Sequence, residues 1–309
     1  MSRAEAPIAE LPVGRDLRTL SSARVVADGS IVNVKEGLQR LGTFEALMDA
    51  IHLGVRQTLP REDARTVAEL GVEKIHTVAD VDRVTALRTR LETLLRPIAD
   101  DTLRGFAAAM NPAEPRAYLG RHLGVRLMMP RPAVADRASD LVPGFMVPNR
   151  AHVDSWFNTS LNSVNLWIAL GRVRPGNGML MYPHLYRRPI ARDGHAVAAD
   201  QPLGEPVRLT LDPGDILVFS GDHIHLSETN TTDETRLVFT KRFSVGAPRY
   251  NPVGSGWLPY YDSRLLDGSA RVLASARSRV TVAYGRHVLR TVLRRPPAYE
   301  VGTPAKVSA

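Results

Sequence analysis

Apolar residues recur every three to four positions along two stretches in the first third of the chain. From Thr43, the residues Phe44, Leu47, Met48, Ile51 and Val55 fall on one face of a helix, with Thr43 placed to cap the first turn. Behind Thr77-Val78-Ala79-Asp80, which has the form of a capping box, Val84, Leu87, Leu91, Leu94 and Ile98 repeat at the same interval and predict a second helix. Both stripes read as core-facing sides of helices. Near Arg116 the texture changes. Ala117-Tyr118-Leu119 and Val125-Arg126-Leu127-Met128-Met129 have the character of strands, and prolines at 130, 132, 143 and 148 break the chain into short pieces. Strands separated by Gly, Pro, Asn and Asp turns are expected over 151–157, 163–170, 179–182, 206–211, 215–219, 223–227 and 235–243.

Many short strands at this spacing predict an α+β fold, a barrel or double-sheet jelly roll with the N-terminal helices packed on one sheet. The expected organisation is a flexible arm over residues 1–30, one domain over 31–250, and a C-terminal helical extension and tail over 251–309. Within the domain, helices occupy 43–110 and the jelly-roll core 117–244. The arginines between Ser263 and Leu293 read as a solvated face, and no chemistry is placed there.

Composition adds constraints. The net charge of +8 is compatible with acidic ligands but is no signature of nucleic acid. Without cysteine, neither a disulfide framework nor a thiolate ligand is available. No continuous apolar run indicates a leader or a membrane span, so a cytoplasmic location is expected.

The candidate chemistry starts at His152-Val153-Asp154. Residues two apart on a strand point to one face, so the imidazole and the carboxylate converge, and a third donor must come from elsewhere. His225 is one source, with His223 a competitor on the same face. Two neutral imidazoles and one carboxylate on one face of an octahedral ion leave three adjacent positions open, the arrangement of non-haem Fe(II) oxygenases. Three further features accompany it: the turn and strand Gly176-Asn177-Gly178-Met179-Leu180-Met181-Tyr182-Pro183-His184, the Gly214-Asp215 turn entering Ile216-Leu217-Val218-Phe219, and Arg236, eleven residues beyond His225. Alternation places Arg236, Val238, Thr240 and Arg242 on one face, with Leu237, Phe239 and Phe243 turned towards the helices.

In order and spacing, these features resemble the Fe(II)- and 2-oxoglutarate-dependent dioxygenases, in particular the phytanoyl-CoA dioxygenase-like branch. The resemblance covers about residues 117–244 and implies a double-stranded β-helix of the cupin-like jelly-roll type. It implies His152, Asp154 and His225 as metal ligands, His225 over His223 because Ser227, Asn230 and Arg236 then fall into register. It implies Fe(2+) as cofactor and 2-oxoglutarate as co-substrate, with Arg236 on the far carboxylate, Ser227 as a hydrogen-bonding helper and Trp167 bordering it. No catalytic residue is expected beyond the metal centre. His184 departs from the pattern, standing where a glycine commonly follows the proline. Asp154 is absent from related halogenases, so its presence favours hydroxylation, desaturation or oxidative cyclisation of a small molecule, with release of succinate and CO2.

For the substrate, Trp156 and Phe157 beside the triad are candidates for an apolar wall, and Arg242 for the cavity lining. Arg187, Arg188 and Arg192 lie in the long segment Leu185 to Gly204, expected as a loop over the barrel mouth that reads a negative group on a specialised metabolite. Two alternatives differ in class. A non-catalytic metal-binding jelly-roll module has no use for a dicarboxylate clamp, and a nucleic-acid demethylase of the same superfamily requires an interleaved basic and aromatic patch that the chain lacks.

Overall fold

Helix α5 (Val81–Met110) is the longest element of the computed structural model, which describes residues 8–111, 118–157, 159–250 and 260–262. Its stripe of Val84, Leu87, Leu91, Leu95, Leu103 and Phe106 is fully buried against α3 (Phe44–Thr58) and the main sheet. Shorter helices α1 (Ser22–Asp28), α2 (Gly37–Arg40) and α4 (Arg61–Leu70) surround this pair, and α6 (Arg131–Val134) follows the first core strands. The helix starts differ in detail from expectation. Asp80 itself caps α5, accepting from the Arg83 amide at 2.9 Å, so no capping box forms at Thr77. Thr43 makes no side-chain cap on α3; its hydroxyl accepts from Thr102 at 3.1 Å instead, tying α3 to α5.

The strands are β1 (Ala9–Leu11), β2 (Val32–Val34), β3 (Tyr118–Gly120), β4 (Gly124–Met128), β5 (Ser163–Ala169) and β6 (Met179–Met181). They continue with β7 (Arg192–Asp193), β8 (Ala196–Val197), β9 (Val207–Arg208), β10 (Ile216–Ser220), β11 (His225–Ser227), β12 (Arg236–Ser244) and β13 (Tyr260–Asp262). The large sheet runs β1-β2-β10-β5-β12-β3-β13, with β4 also on β12, while β11-β6-β9 make a small sheet and β7-β8 a separate pair. Every pairing but β1–β2 is antiparallel.

Strict alternation divides the large sheet's two faces. Val164, Leu166, Ile168, Ile216, Val218 and Phe239 join the helical core, while Trp167, Ala169, Leu217, Phe219 and Val238 pack with Met179, Met181, Leu209 and Leu211 of the small-sheet side. Two facing sheets with helices on one outer face are the expected jelly-roll arrangement, and the interior between the sheets is where the candidate site lies.

Three expectations differ from what is observed. The first residues are not an arm from Ile8 onward: β1 and β2 extend the large sheet and α1 packs on it, short elements that carry no readable period. Residues 151–157 are not a strand; a single bridge at His152 is followed by a 3-10 turn over Asp154–Phe157. The helical extension expected over 251–309 lies outside the described residues apart from β13, which pairs with β3.

Candidate metal centre and its surroundings

His152 and His225 face each other across an antiparallel bridge, each amide donating to the other's carbonyl at 3.0 Å. This close pairing brings the two ring centroids to 4.4 Å. The His152 Nδ1 lies 2.7 Å from the Arg150 carbonyl and the His225 Nδ1 lies 2.9 Å from the His223 carbonyl. A carbonyl only accepts, so both Nδ1 atoms carry the proton and both Nε2 lone pairs are free to bind a metal. The 3-10 turn, held by the Asp154 amide donating to the Gly221 carbonyl at 2.8 Å, then swings the carboxylate towards them. Asp154 Oδ1 stands 3.7 Å from the His152 Nε2 and 3.9 Å from the His225 Nε2. Among the described residues this trio forms the one buried cluster of potential metal ligands, its donor atoms all within 4.8 Å of one another.

Asp154 uses its other oxygen differently. Oδ2 accepts from the Asn165 side-chain amide and from Arg242 Nη2 at 3.1 Å, while Arg242 Nε donates to Asn165 Oδ1 at 3.2 Å. Burial alone would raise the carboxyl pKa, but the Arg242 guanidinium together with His152 and His225 outweighs it and holds Asp154 well below the usual carboxylate range. Burial pushes His225 down to about 3, aided by the neighbouring His152, so this imidazole is neutral near pH 7.

Arg236 is almost fully buried on β12. Its Nη1 donates to the carbonyls of Asn177 at 2.7 Å and Gly178 at 2.6 Å, which explains the Asn-Gly turn of the sequence. Its guanidinium carbon lies 5.4 Å from the centre of the Trp167 ring. Among the described residues, Nε and Nη2 of Arg236 have no partner. Burial, with the charge of Arg126 added, lowers its pKa to about 9. Two orphaned donors of one planar fork, buried against Trp167, fit a carboxylate.

The Gly214-Asp215 motif proves structural. Gly214 takes a φ of +95°, and the buried Asp215 accepts from Lys35 Nζ and from the amides of Glu36 and Asp212, the latter two at 3.0 Å. This fastens α2 to the start of β10.

A profile of the phytanoyl-CoA dioxygenase (PhyH) family matches residues 68–238, more than half of the chain. The chain belongs to that family. It is accordingly a non-haem iron, 2-oxoglutarate-dependent oxygenase, and the His-Asp-His cluster is the donor set this chemistry needs. The fold is also similar to the non-haem α-ketoglutarate-dependent carbocyclase SnoK from nogalamycin biosynthesis, with 17% identity over 78% of this chain and 90% of that one, TM-score 0.43. The corresponding epimerase SnoN gives 20% identity over 75% and 86%, TM-score 0.41. EvdO2 from Micromonospora carbonacea var. aurantiaca gives 17% over 54% and 70%, TM-score 0.37. No curated protein sequence matches the chain.

In this dioxygenase, His152, Asp154, His225, Trp167, Ser227 and Arg242 line one narrow pocket between the sheets, with Arg236 directly behind Trp167. His223 does not compete: β11 begins only at His225, and the His223 ring turns away to bond the Gly29 carbonyl at 2.9 Å and lie 4.4 Å from Tyr186. Phe157 stands at the rim, its ring 5.0 Å from that of His152 and 5.0 Å from that of His195. Trp156 points the other way. With Arg187, Arg188 and Arg192, it lines a second cavity of about 750 Å³ that shares no lining residue with the metal pocket. The arginines of the segment Leu185 to Gly204 therefore face this second cavity and not the ligand cluster. His184, the departure from the family pattern, starts this segment in a short 3-10 turn and ties its ends together, Nε2 donating to the Leu203 carbonyl at 2.9 Å.

Two polar strand residues of the pocket were given no role in the sequence reading. Asn165 alternates with Trp167 on the inner face of β5, and Arg126 is the polar residue between Val125 and Leu127 on β4. Arg126 donates through Nε to the Gly144 carbonyl at 2.7 Å, and burial lowers its pKa to about 10. In each case a polar side chain on the interior face of an otherwise apolar strand was the available signal.

Proposed function

We propose that His152, Asp154 and His225 hold the ferrous ion and that Arg236, aided by Ser227 and Trp167, holds the far carboxylate of 2-oxoglutarate in an oxygenase acting on a small specialised metabolite. The observation that carries this reading is the convergence of two Nε2 lone pairs and one carboxylate oxygen, each fixed from behind. When bound, iron with 2-oxoglutarate supplies the activation of dioxygen for oxidation of a substrate C–H bond, with succinate and CO2 released.

The chain's own residues have separable duties. The Arg150 and His223 carbonyls orient the imidazoles, and Arg242 with Asn165 aims Asp154. Arg236 offers two free donors in a fork that matches a carboxylate, and Arg126 and Arg242 make the pocket strongly cationic, as a dianionic co-substrate requires. Trp167, Met179 and Phe219 present apolar walls that limit water beside the ligands. Asp154 would occupy one position on the bound iron, which favours hydroxylation, desaturation or cyclisation. A negative group on the substrate is part of this reading, supported by the arginines of the segment Leu185 to Gly204.

Anaerobic titration with Fe(II) and then 2-oxoglutarate, followed by visible absorption, tests the proposal without knowledge of the substrate. A charge-transfer band that needs both components, and that His225→Ala abolishes, is the expected result. Iron binding with no response to 2-oxoglutarate would instead identify an inert metal-binding module.

A further inference from the structure

Consecutive residues of the ligand-bearing segments serve two different cavities. His152, Asp154 and His225 face the metal pocket, whereas Val153, Ser155, Trp156, Asp222 and Ile224 face the second cavity of about 750 Å³. The backbone at 152–156 and 222–225 is thus the wall between the two.

The second cavity has an apolar floor and a cationic rim. Val153 and Ile224 are buried in a cluster with Tyr182 and Val197, against which Trp156, Leu185 and Ile190 pack. Around it stand four guanidinium groups, Arg187, Arg188, Arg192 and Arg249, with a single carboxylate, Asp222. That carboxylate is already engaged with Arg187 at 3.1 Å, and Arg192 reaches only the Gly194 carbonyl at 3.5 Å. The guanidinium groups of Arg188 and Arg249 have no partner among the described residues. Among the described residues, the rim therefore carries a net positive charge.

The arginines are also held in place. Arg187 sits at φ +53°, a conformation that non-glycine residues rarely adopt, with its guanidinium carbon 5.2 Å from the Tyr186 ring centre. Tyr186 is itself anchored, its hydroxyl bonding the Val26 carbonyl and Ser220. The Arg249 amide donates to Ser160 Oγ at 3.1 Å and Asn162 Oδ1 at 3.0 Å, and its carbonyl accepts from the Leu161 amide. Solubilising arginines have no need of a strained or fastened backbone.

We propose that this cavity is a binding site for an amphipathic organic anion, with a carboxylate or phosphate head among the arginines and an apolar body on the Val153, Trp156 and Ile224 floor. Guanidinium forks match either head group, and an apolar floor with few polar groups at one end is the usual form of a small-molecule site. The cavity lies across the wall from the metal pocket, so the binding itself requires neither metal nor turnover. Trp156 lies in the 3-10 turn that carries Asp154, so occupation of the cavity bears directly on the wall behind the metal ligands.

The test uses the metal-free full chain with octyl phosphate, octanoate and the neutral control octanol, followed by calorimetry and tryptophan fluorescence. Saturable binding of at least one anion, at least ~10-fold tighter than octanol and weakening as salt rises, is expected. Trp156→Phe should remove the fluorescence change while calorimetric binding persists. Arg188→Gln with Arg249→Gln should weaken the anion by about tenfold or more and leave octanol unaffected, and both side chains are exposed, so the fold is retained. His225→Ala should bind the anion like the parent, which separates this site from the metal pocket and its fate from that of the oxygenase assignment. The stronger of the two anions identifies the head group. Equal affinity for octanol, an unchanged affinity in the double arginine variant, or loss of binding in His225→Ala would each overturn the proposal.

Discussion

Asp154 has one oxygen for the histidines and one for the protein. Because Asn165 and Arg242 occupy Oδ2, only Oδ1 faces the two Nε2 atoms, which prescribes a single-oxygen ligand. Arg242→Gln should weaken Co(II) binding, read from its visible absorption, by ~10- to 100-fold, the range found for residues that orient a metal ligand. His152→Ala, Asp154→Ala and His225→Ala should each abolish that binding in a folded protein, whereas His223→Ala should leave it intact, since that ring serves Gly29. Arg236 makes a second, separable prediction. Arg236→Ala removes a buried partner for a carboxylate and should weaken 2-oxoglutarate by ~2 to 5 kcal/mol, read as its apparent KM, with Co(II) affinity as the internal control. A parallel loss of metal would mean that Arg236 acts through the fold and not on the co-substrate.

At the scale of elements, β12 serves two masters through its alternation. Its inner face carries Arg236, Val238, Thr240 and Arg242 to the site, and its outer face carries Leu237, Phe239 and Phe243 to the helical core. Lys241 breaks the outer pattern. Its ammonium is fully buried, pairs with Asp100 of α5 and donates to the Gly120 carbonyl at 3.0 Å, while burial lowers its pKa. This contact pins the longest helix to the strand that presents both arginines. Asp100→Ala would leave a buried cation without its partner and should cost ~2 to 3 kcal/mol by urea denaturation, less than a wholly buried pair because Asp100 is partly exposed. Replacing both, Lys241→Met with Asp100→Leu, should be close to neutral, since two apolar groups need no compensation. A double variant as unstable as the single would show that the pair itself, and not the orphaned charge, holds the elements together.

For the whole molecule, the candidate ligands join segments that are far apart in the chain: the turn after β4 and α6 supplies His152 and Asp154, and β11 of the small sheet supplies His225. A metal bound there stabilises only the folded state, by ~2.7 kcal/mol at a hundredfold excess over its dissociation constant. For a chain of this size that corresponds to a rise in melting temperature of roughly 4 °C. Co(II) should produce this shift by calorimetry in the parent, 2-oxoglutarate should add to it, and His152→Ala should show neither. No helix among the described residues is long and apolar enough to cross a membrane, and the helical layer packs its apolar stripe on the large sheet.

Period alone, read along the chain, determined a great deal. The 3.6-residue stripes of α3 and α5 and the two-residue alternation of β5, β10 and β12 follow from backbone geometry, which is local and needs no partner. That alternation already placed Arg236 and Arg242 on one interior face, and the order of turns and polar residues between His152 and Arg236 already pointed to the family. Tertiary structure decided where each side chain of the site goes. Trp156 and Phe157 are neighbours in the chain, yet a 3-10 turn sends one to the second cavity and the other to the rim beside His152. His223 and His225 are two apart, yet only the second lies on a strand. Arg187, Arg188 and Arg192 line the far side of the wall and not the metal pocket, because the course of an irregular segment is fixed by what it packs against. The strand period is a property of every extended backbone, whereas a turn, a bridge between distant segments and the wall between two cavities exist only once the sheets have closed on one another.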